Sequence, residues 1–392
     1  MFEYRGFMLD SVRHMQSIEE IKKLIDAIAL LGFNKFHWHL TDDQGWRFES
    51  NRFPELNTVA AIRPYSDFGK SRVNKPYGRV YTRDELKEIV TYCTEKGIDV
   101  IPEFDIPGHT SALLSAIPSL SCTGKIVKIK THQGIFKDVL CIAKEETFEI
   151  ITAILDEFLE VFPGEYIHIG GDETPAAHWK NCPECQKYMK EHGITDYAEY
   201  QTCFTNRIID YLEKKGRHAI VWNEATKSGN LDKRATVQYW KEAPESTVKF
   251  LNEGGKAFLS PFSYFYLDYD YSITPLNRVY SMKPELPGLT EKGKKNIIGI
   301  EAPVWTEYID NINRLEELVF PRIIAVSKIA LGKADKPYKD FLNDAKTLRK
   351  QLDTYCFCNE KDWTKPRTAF VWGWLKFVKD HYTLDYIKDQ IL

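Results

Sequence analysis

The sequence predicts a (β/α)₈ barrel with a C-terminal helical extension. Three observations carry this. Short apolar strands alternate with amphipathic helices about eight times along the chain. Each of those strands runs into acidic or aromatic residues. At 392 residues, the chain is long for one ordinary domain but not for an α/β barrel.

The elements follow in order. Phe7-Met8-Leu9 reads as the first strand. Ser17 and Glu20 form a capping box, and Ile21, Leu24, Ile25, Ile28 and Leu31 follow at helical spacing until Gly32. Residues 33–40 form the second strand, and a loop with Gly and Pro runs to about residue 80. Thr82 and Glu85 cap a helix that ends at Gly97, before a third strand over 100–104. A helix over 147–161 leads through Pro163-Gly164 to a fourth strand, 166–169, and a helix over 197–215 ends at Gly216. The remaining strands are expected at 219–222, 236–240, 257–260 and 297–302, with a single helix over 313–331 closing the set. Such alternation implies a parallel sheet under helices, and eight units favour a closed barrel over a doubly wound open sheet. The domains expected are a catalytic barrel over 1–335 and an extension over 336–392 packed on it, with helix near 338–352 and an aromatic tail holding Trp363, Trp372 and Trp374.

Composition excludes some functions. A net charge of −3 argues against a nucleic-acid backbone, which calls for a basic face. No apolar run approaches membrane-spanning length and no secretory signal opens the chain. The chain as it stands is expected in the cytoplasm, or outside the cell if it is cut from a larger exported protein. Eight Cys in this length are too sparse for a disulfide scaffold. Cys182-Pro-Glu-Cys185 looks like half a zinc knuckle, but no second pair lies nearby in the sequence, and Cys356 and Cys358 are remote. No metal and no cofactor are expected.

A barrel's active site lies at the C-terminal ends of its strands. Those ends read Asp10 and Arg13; Asp42-Asp43; Glu103, Asp105 and His109; Gly170-Gly171-Asp172-Glu173; Trp222-Asn223-Glu224; Tyr239-Trp240; Tyr264, Tyr266 and Asp268; Glu301, Trp305 and Glu307. Together they describe an acidic, Trp-lined basin. Paired carboxylates, one protonated and one ionised, are the usual machinery for cleaving a glycosidic bond. Gly170-Gly171 lets the backbone turn sharply, so that adjacent Asp172 and Glu173 face one ligand. On a regular strand they would point apart. Asp42, Asp43, His109, Asp172 and Glu173 could instead ligate a divalent ion, but no recognised spacing supports it. His37, His39 and His168 sit within strands, where histidine is more often hydrogen-bonded in the core.

Four stretches carry a more specific signal: Arg5-Gly-Phe-Met-Leu-Asp10-Ser-Val-Arg13-His14, Phe36-His-Trp-His-Leu-Thr-Asp42-Asp43, Pro102-Glu-Phe-Asp-Ile-Pro-Gly-His109 and His168-Ile-Gly-Gly-Asp172-Glu173. In order and spacing they resemble glycoside hydrolase family 20, the β-N-acetylhexosaminidases. The resemblance begins at residue 5, without the small α/β domain that most members carry ahead of the barrel. It implies exo-acting hydrolysis of terminal β-linked GlcNAc or GalNAc by a retaining, substrate-assisted route, in which the substrate's own acetamido oxygen attacks the anomeric carbon. Glu173 would be the general acid, then base. Asp172 would orient the acetamido N–H, and Tyr266 would hydrogen-bond its oxygen. Trp222, Trp240 and Trp305 would wall the acetamido pocket. Arg13, Asp268 and Glu307 would hold sugar hydroxyls. Asp42 and His109 would form a relay behind Glu173. The implied partner is a glycan ending in N-acetylhexosamine, without nucleic acid or membrane, and a homodimer is left open. Two alternatives stand: a retaining glycosidase with Glu173 as acid/base and Glu301 as nucleophile, or a non-catalytic sugar-binding barrel. The loops at 62–80, 120–138 and 262–290 are expected to set specificity.

Overall fold

The computed structural model describes residues 1–68, 71–241 and 244–352. Eight parallel strands close into a barrel: β1 (Tyr4–Asp10), β2 (Lys35–His39), β3 (Asp99–Glu103), β4 (Tyr166–His168), β5 (His218–Trp222), β6 (Thr236–Tyr239), β7 (Lys256–Leu259) and β8 (Ile297–Val304). β8 pairs with β1, Tyr4 opposite Gly299, and so completes the ring.

Both expected capping boxes are made, at the starts of α1 (Ile18–Leu30) and α2 (Arg83–Glu95). Then come α3 (Glu145–Val161), α4 (Tyr197–Lys214) and α5 (Glu245–Asn252). Between β5 and β6 the outer helix is reduced to a single 3₁₀ turn, Asn223–Thr226. The helix expected over 313–331 is two, α6 (Ile312–Val319) and α7 (Arg322–Ala330). Pro321 causes the break, because it has no N–H to give and disfavours helix at the residue before it. α8 (Tyr338–Leu352) buries Phe341, Ala345 and Leu352, and Phe341 stacks on Tyr280 with ring centroids 4.1 Å apart. The remainder of the expected extension, with its three Trp and with Cys356 and Cys358, lies outside the described residues.

Strand residues alternate between two faces. On β2, Phe36 and Trp38 point outward into the core under the helices, while His37 and His39 point inward. The interior fills in layers drawn from alternate strands, as such barrels do. The bottom layer is apolar and comes from odd strands: Tyr4, Ile101, Ile220 and Phe258. The next comes from even strands and is polar: His37, His168, Gln238 and Glu301, all fully buried. Above it, odd strands supply Met8, Glu103, Trp222 and Ser260. Gly6 is needed here, because a Cβ would come within 2.4 Å of the Glu301 carboxylate.

The polar layers are held by hydrogen bonds. Glu301 accepts from Tyr4 Oη (2.6 Å) and Gln238 Nε2 (2.8 Å) and pairs with His37 Nδ1 (3.0 Å). Glu103 accepts from Trp222 Nε1 (2.8 Å) and pairs with His168 Nδ1 (3.0 Å), His37 and His39. Burial works against a cationic His37, yet Glu301 and Glu103 outweigh it and push it up to about 9. The strand histidines are thus core groups, as their positions suggested.

The long segment after β2 has few regular elements. It carries two buried guanidiniums. Arg47 donates to the carbonyls of Ser11, Val12 and Ala61, and Arg63 to that of Arg13. This ties the segment to the turn that carries Arg13.

Candidate active site

The C-terminal ends of the strands surround a cavity of about 240 Å³. Ten of the eleven residues singled out from the sequence line it: Arg13, Asp42, His109, Asp172, Glu173, Trp240, Tyr266, Asp268, Trp305 and Glu307.

Local folding explains how they arrive there. After β1, Asp10 accepts from the backbone N–H of Val12 (2.7 Å) and Arg13 (3.2 Å), and its other oxygen accepts from Thr306 N (3.0 Å). That turn aims Arg13 inward. After β4, Gly170 and Gly171 adopt φ of 64° and 102°. A side chain at Gly170 would collide with Asp105, whose Oδ1 would lie 1.6 Å from the new Cβ. Asp105 instead accepts from Gly171 N at 3.3 Å. Among the described residues, His109 and Glu173 are the two non-glycine residues with positive φ, 51° and 41°. Such backbone costs on the order of 1 kcal/mol or more and is held only where its surroundings impose it.

Charge is arranged in a chain. Arg13 Nη2 meets Asp42 Oδ2 at 2.6 Å. Asp42 Oδ1 and Asp43 Oδ2 lie 3.3 and 3.2 Å from His109 Nδ1. The opposite nitrogen, Nε2, is 3.7 Å from Asp172 and 3.8 Å from Glu173. Burial opposes the charged forms of Asp42 and His109. Arg13 and His109 nevertheless hold Asp42 well below the usual carboxylate range, and Asp42 and Asp172 hold His109 well above the usual imidazole range. The pair beyond them behaves oppositely. Burial, with Glu224, Glu173 and Glu103 adding, pushes Asp172 to about 8. Burial, with Glu224 adding and His109 and Lys241 opposing, raises Glu173 as well. Burial thus favours the protonated form at both carboxyl groups, against the ionised Asp42 on the other side of His109. Asp172 Oδ1 is buried with no hydrogen-bond partner among the described residues.

The other wall is aromatic. Tyr266 stacks on Trp240 (5.9 Å, 19°) and tilts against Trp305 (6.4 Å). The Arg13 guanidinium lies 5.1 Å over Trp305 and 3.8 Å from Glu307. Trp305 N donates to Asp268 at 3.4 Å. Burial, then Glu307, pushes Asp268 to about 8.

Two expectations are corrected. Trp222 does not line the cavity. It is 1% exposed, packs behind Trp240 and Trp305, and spends its N–H on Glu103. It is a support for the wall. Glu301 is not placed as a nucleophile. It is fully buried in the barrel, and both its oxygens are taken by Tyr4, His37 and Gln238.

Reasoning from strand ends also undervalued some residues. Glu224 accepts from Trp240 Nε1 (2.8 Å) and sets that ring. Gln44 accepts from Arg13 Nε (2.7 Å). Gln133, Gly134 and Ile135 reach the cavity from the loop at 120–138, and Tyr269 and Tyr308 also line it. The acidic Glu224 after β5 was a usable signal. Nothing local distinguishes Gln44 or Gln133.

Several of the His and carboxylate groups lie close enough together to suggest a metal, such as Asp42, Asp105 and His109. Ion pairing with His109 accounts for Asp42 in this grouping, and Asp105 accepts from the backbone N–H of Gly171.

Comparison with known proteins agrees with the geometry. The family model for the glycosyl hydrolase family 20 catalytic domain matches residues 2–331. The chain is 35% identical over 368 residues to a beta-hexosaminidase of Porphyromonas gingivalis, covering 91% of this chain and 45% of that protein. It is 31% identical over 333 residues to the human beta-hexosaminidase subunit beta, covering 83% and 56%. It thus spans about half the length of these relatives. Among solved structures, a beta-N-acetylhexosaminidase matches with a TM-score of 0.84 at 31% identity, covering 94% of this chain and 80% of that one. The Vibrio harveyi GH20 exo beta-N-acetylglucosaminidase in complex with N-acetylglucosamine matches with a TM-score of 0.80 at 30% identity, covering 93% and 60%. With most of its length matched by the family model and its strand ends forming one acidic, aromatic cavity, the chain belongs to glycosyl hydrolase family 20.

Proposed function

We propose that the chain is an exo-acting β-N-acetylhexosaminidase that cleaves terminal β-linked GlcNAc or GalNAc with retention, using the substrate's acetamido group as nucleophile. One observation carries this reading. His109 stands between an ionised Asp42 and the adjacent buried carboxyls Asp172 and Glu173, in a cavity whose far wall is Trp240, Tyr266 and Trp305.

In this reading the acetamido arm lies against the aromatic wall, and its N–H donates to Asp172 Oδ1, the buried oxygen that the described protein leaves without a donor. That hydrogen bond favours the ionised form of Asp172, and Glu173 carries the proton to be given. The acetamido oxygen, steadied by the Tyr266 hydroxyl, attacks the anomeric carbon. The glycosidic C–O bond breaks, and Glu173 gives its proton to the departing oxygen. Positive charge spreads onto the amide nitrogen, and Asp172 stabilises it. Water then attacks the anomeric carbon, giving its proton to Glu173, and the ring opens to restore the acetamido group. Two inversions give net retention. Asp42 and His109 are positioning residues that tune and orient the pair. Arg13, Asp268 and Glu307, grouped beside Trp305, would bind sugar hydroxyls.

A nucleophilic Glu301 fits poorly, because freeing it would break three buried contacts. The deciding test is a pair of aryl β-glycosides that differ only at C2. The 2-hydroxy compound lacks the internal nucleophile, whose advantage can reach about 7–11 kcal/mol in ideal geometry. It should turn over several orders of magnitude more slowly, mainly in kcat. Similar kcat values for the two would refute substrate assistance, and no turnover of either would favour a non-catalytic sugar-binding barrel.

A further inference from the structure

The pair Cys182 and Cys185 does not lack partners. It straddles the start of the helix Pro183–Glu191, in the segment that follows β4. Cys122 and Cys141, from the long loop after β3, meet it there. The Sγ atoms of Cys122 and Cys185 are 3.7 Å apart, those of Cys141 and Cys182 3.8 Å, and those of Cys141 and Cys185 3.6 Å. All four sulfurs lie within 4.8 Å of one another.

These distances discriminate between chemistries. A disulfide needs about 2.05 Å between sulfurs, and all four thiols are free. A single zinc ion bound at about 2.3 Å by four thiolates in a tetrahedron sets its sulfurs about 3.8 Å apart. A multi-iron cluster would spread them further. Four buried thiols could also serve only as small apolar side chains. One polar group argues against that. The Tyr200 hydroxyl is buried with no hydrogen-bond partner of the ordinary kind among the described residues, and it faces Cys185. A buried hydroxyl without an acceptor is costly, and a thiolate sulfur supplies one. Asn and Ser are absent from the four positions, so no weak oxygen donor interrupts the sulfur set.

We propose that Cys122, Cys141, Cys182 and Cys185 form a structural zinc site. None of the four lines the cavity, so the ion takes no part in bond cleavage. Its place in the fold gives it a task. It pins the loop that supplies Gln133, Gly134 and Ile135 to the segment that leaves the Asp172–Glu173 turn. A closed four-sulfur shell suits a structural ion, since a catalytic one keeps a position open. The proposal is independent of the glycosidase reading, and either can fail alone.

The test uses the full chain, purified without chelators from cells grown with zinc. Metal analysis should find about one zinc per chain, and X-ray absorption at the zinc edge should show four sulfur ligands at about 2.3 Å. The double variant Cys182→Ser/Cys185→Ser should lose that zinc, while Cys356→Ser/Cys358→Ser should keep it. Should the double variant not fold, an organomercurial added to the unaltered protein should release the same single zinc to a colorimetric dye. Zinc near zero in protein grown with zinc, iron in its place, nitrogen or oxygen ligands at the edge, or disulfides among the four cysteines would each overturn the proposal.

Discussion

Two networks of histidine and carboxylate lie one above the other in this barrel, and they differ in one respect. In the interior, Glu103 and Glu301 have partners on all four of their oxygens, from Trp222, His168, His37, His39, Tyr4 and Gln238. At the rim, Asp172 keeps a buried oxygen without a partner, and Glu173 comes no nearer to His109 than 3.8 Å. The residue types are the same. The inner set is closed and contributes to the structure of the barrel, whereas the outer set keeps hydrogen-bonding capacity for a ligand. Residue type alone therefore does not mark a catalytic carboxylate; unspent capacity beside a cavity does.

The comparison can be broken most directly at its two glutamates. Glu173→Gln should fold and melt like the parent, yet lose about 10²–10⁴ in kcat on substrates with poor leaving groups, the usual worth of a general acid. Activated aryl leaving groups should suffer less. Equal losses on both would remove Glu173 from the acid role. Glu301→Leu should do the reverse. It strips the counter-charge from a buried His37 and should destabilise the fold by about 3–5 kcal/mol, read by denaturant unfolding. If the variant is instead fully stable and inactive, the inner network is not structural.

A smaller effect concerns pH. Asp172 titrates near 8 in the folded chain, against about 3.9 when unfolded. A carboxyl group raised on folding favours the folded state while protonated. Its contribution is complete below about pH 4 and is lost as pH rises towards 8. Asp268, raised likewise to about 8, acts in the same direction. The melting temperature should therefore fall between pH 5 and 8, and Asp172→Asn should flatten that slope by up to about 1.4 kcal/mol per pH unit. An unchanged slope would show that Asp172 ionises normally.

The smallest effect sharpens the rim. Glu224 raises both members of the pair. Glu224→Gln keeps an acceptor for Trp240 Nε1 and removes the charge. The alkaline limb of kcat should move to lower pH, because Glu173 then loses its proton more readily. Movement to higher pH would contradict the charge arrangement described here.

How much of this was legible beforehand follows from distance along the chain. The capping boxes at Ser17/Glu20 and Thr82/Glu85 are local, three residues apart, and both form as read. The Gly170-Gly171 turn is local too, and its positive φ values place Asp172 and Glu173 as expected. Pro321 is also local, and it breaks the expected single helix into Ile312–Val319 and Arg322–Ala330. Other features had no local trace. Trp222 ends its strand like Trp240, yet it lies behind the cavity, because Glu103, 119 positions away, takes its N–H. Cys122 and Cys141 look unrelated to Cys182-Pro-Glu-Cys185 until neighbouring strand-end loops fold together.

Sequence alone determined the strand and helix phases, the acidic and aromatic strand ends, and the family motifs from Arg5 to Glu173. These depend on side-chain periodicity and backbone preference over a few residues. Tertiary structure alone decided which carboxylates are spent and which thiols meet. Tyr4 and Glu301 are 297 positions apart when they close the inner network, and no local preference carries information over that span. Only barrel closure, which brings the first strand against the last, sets such partners.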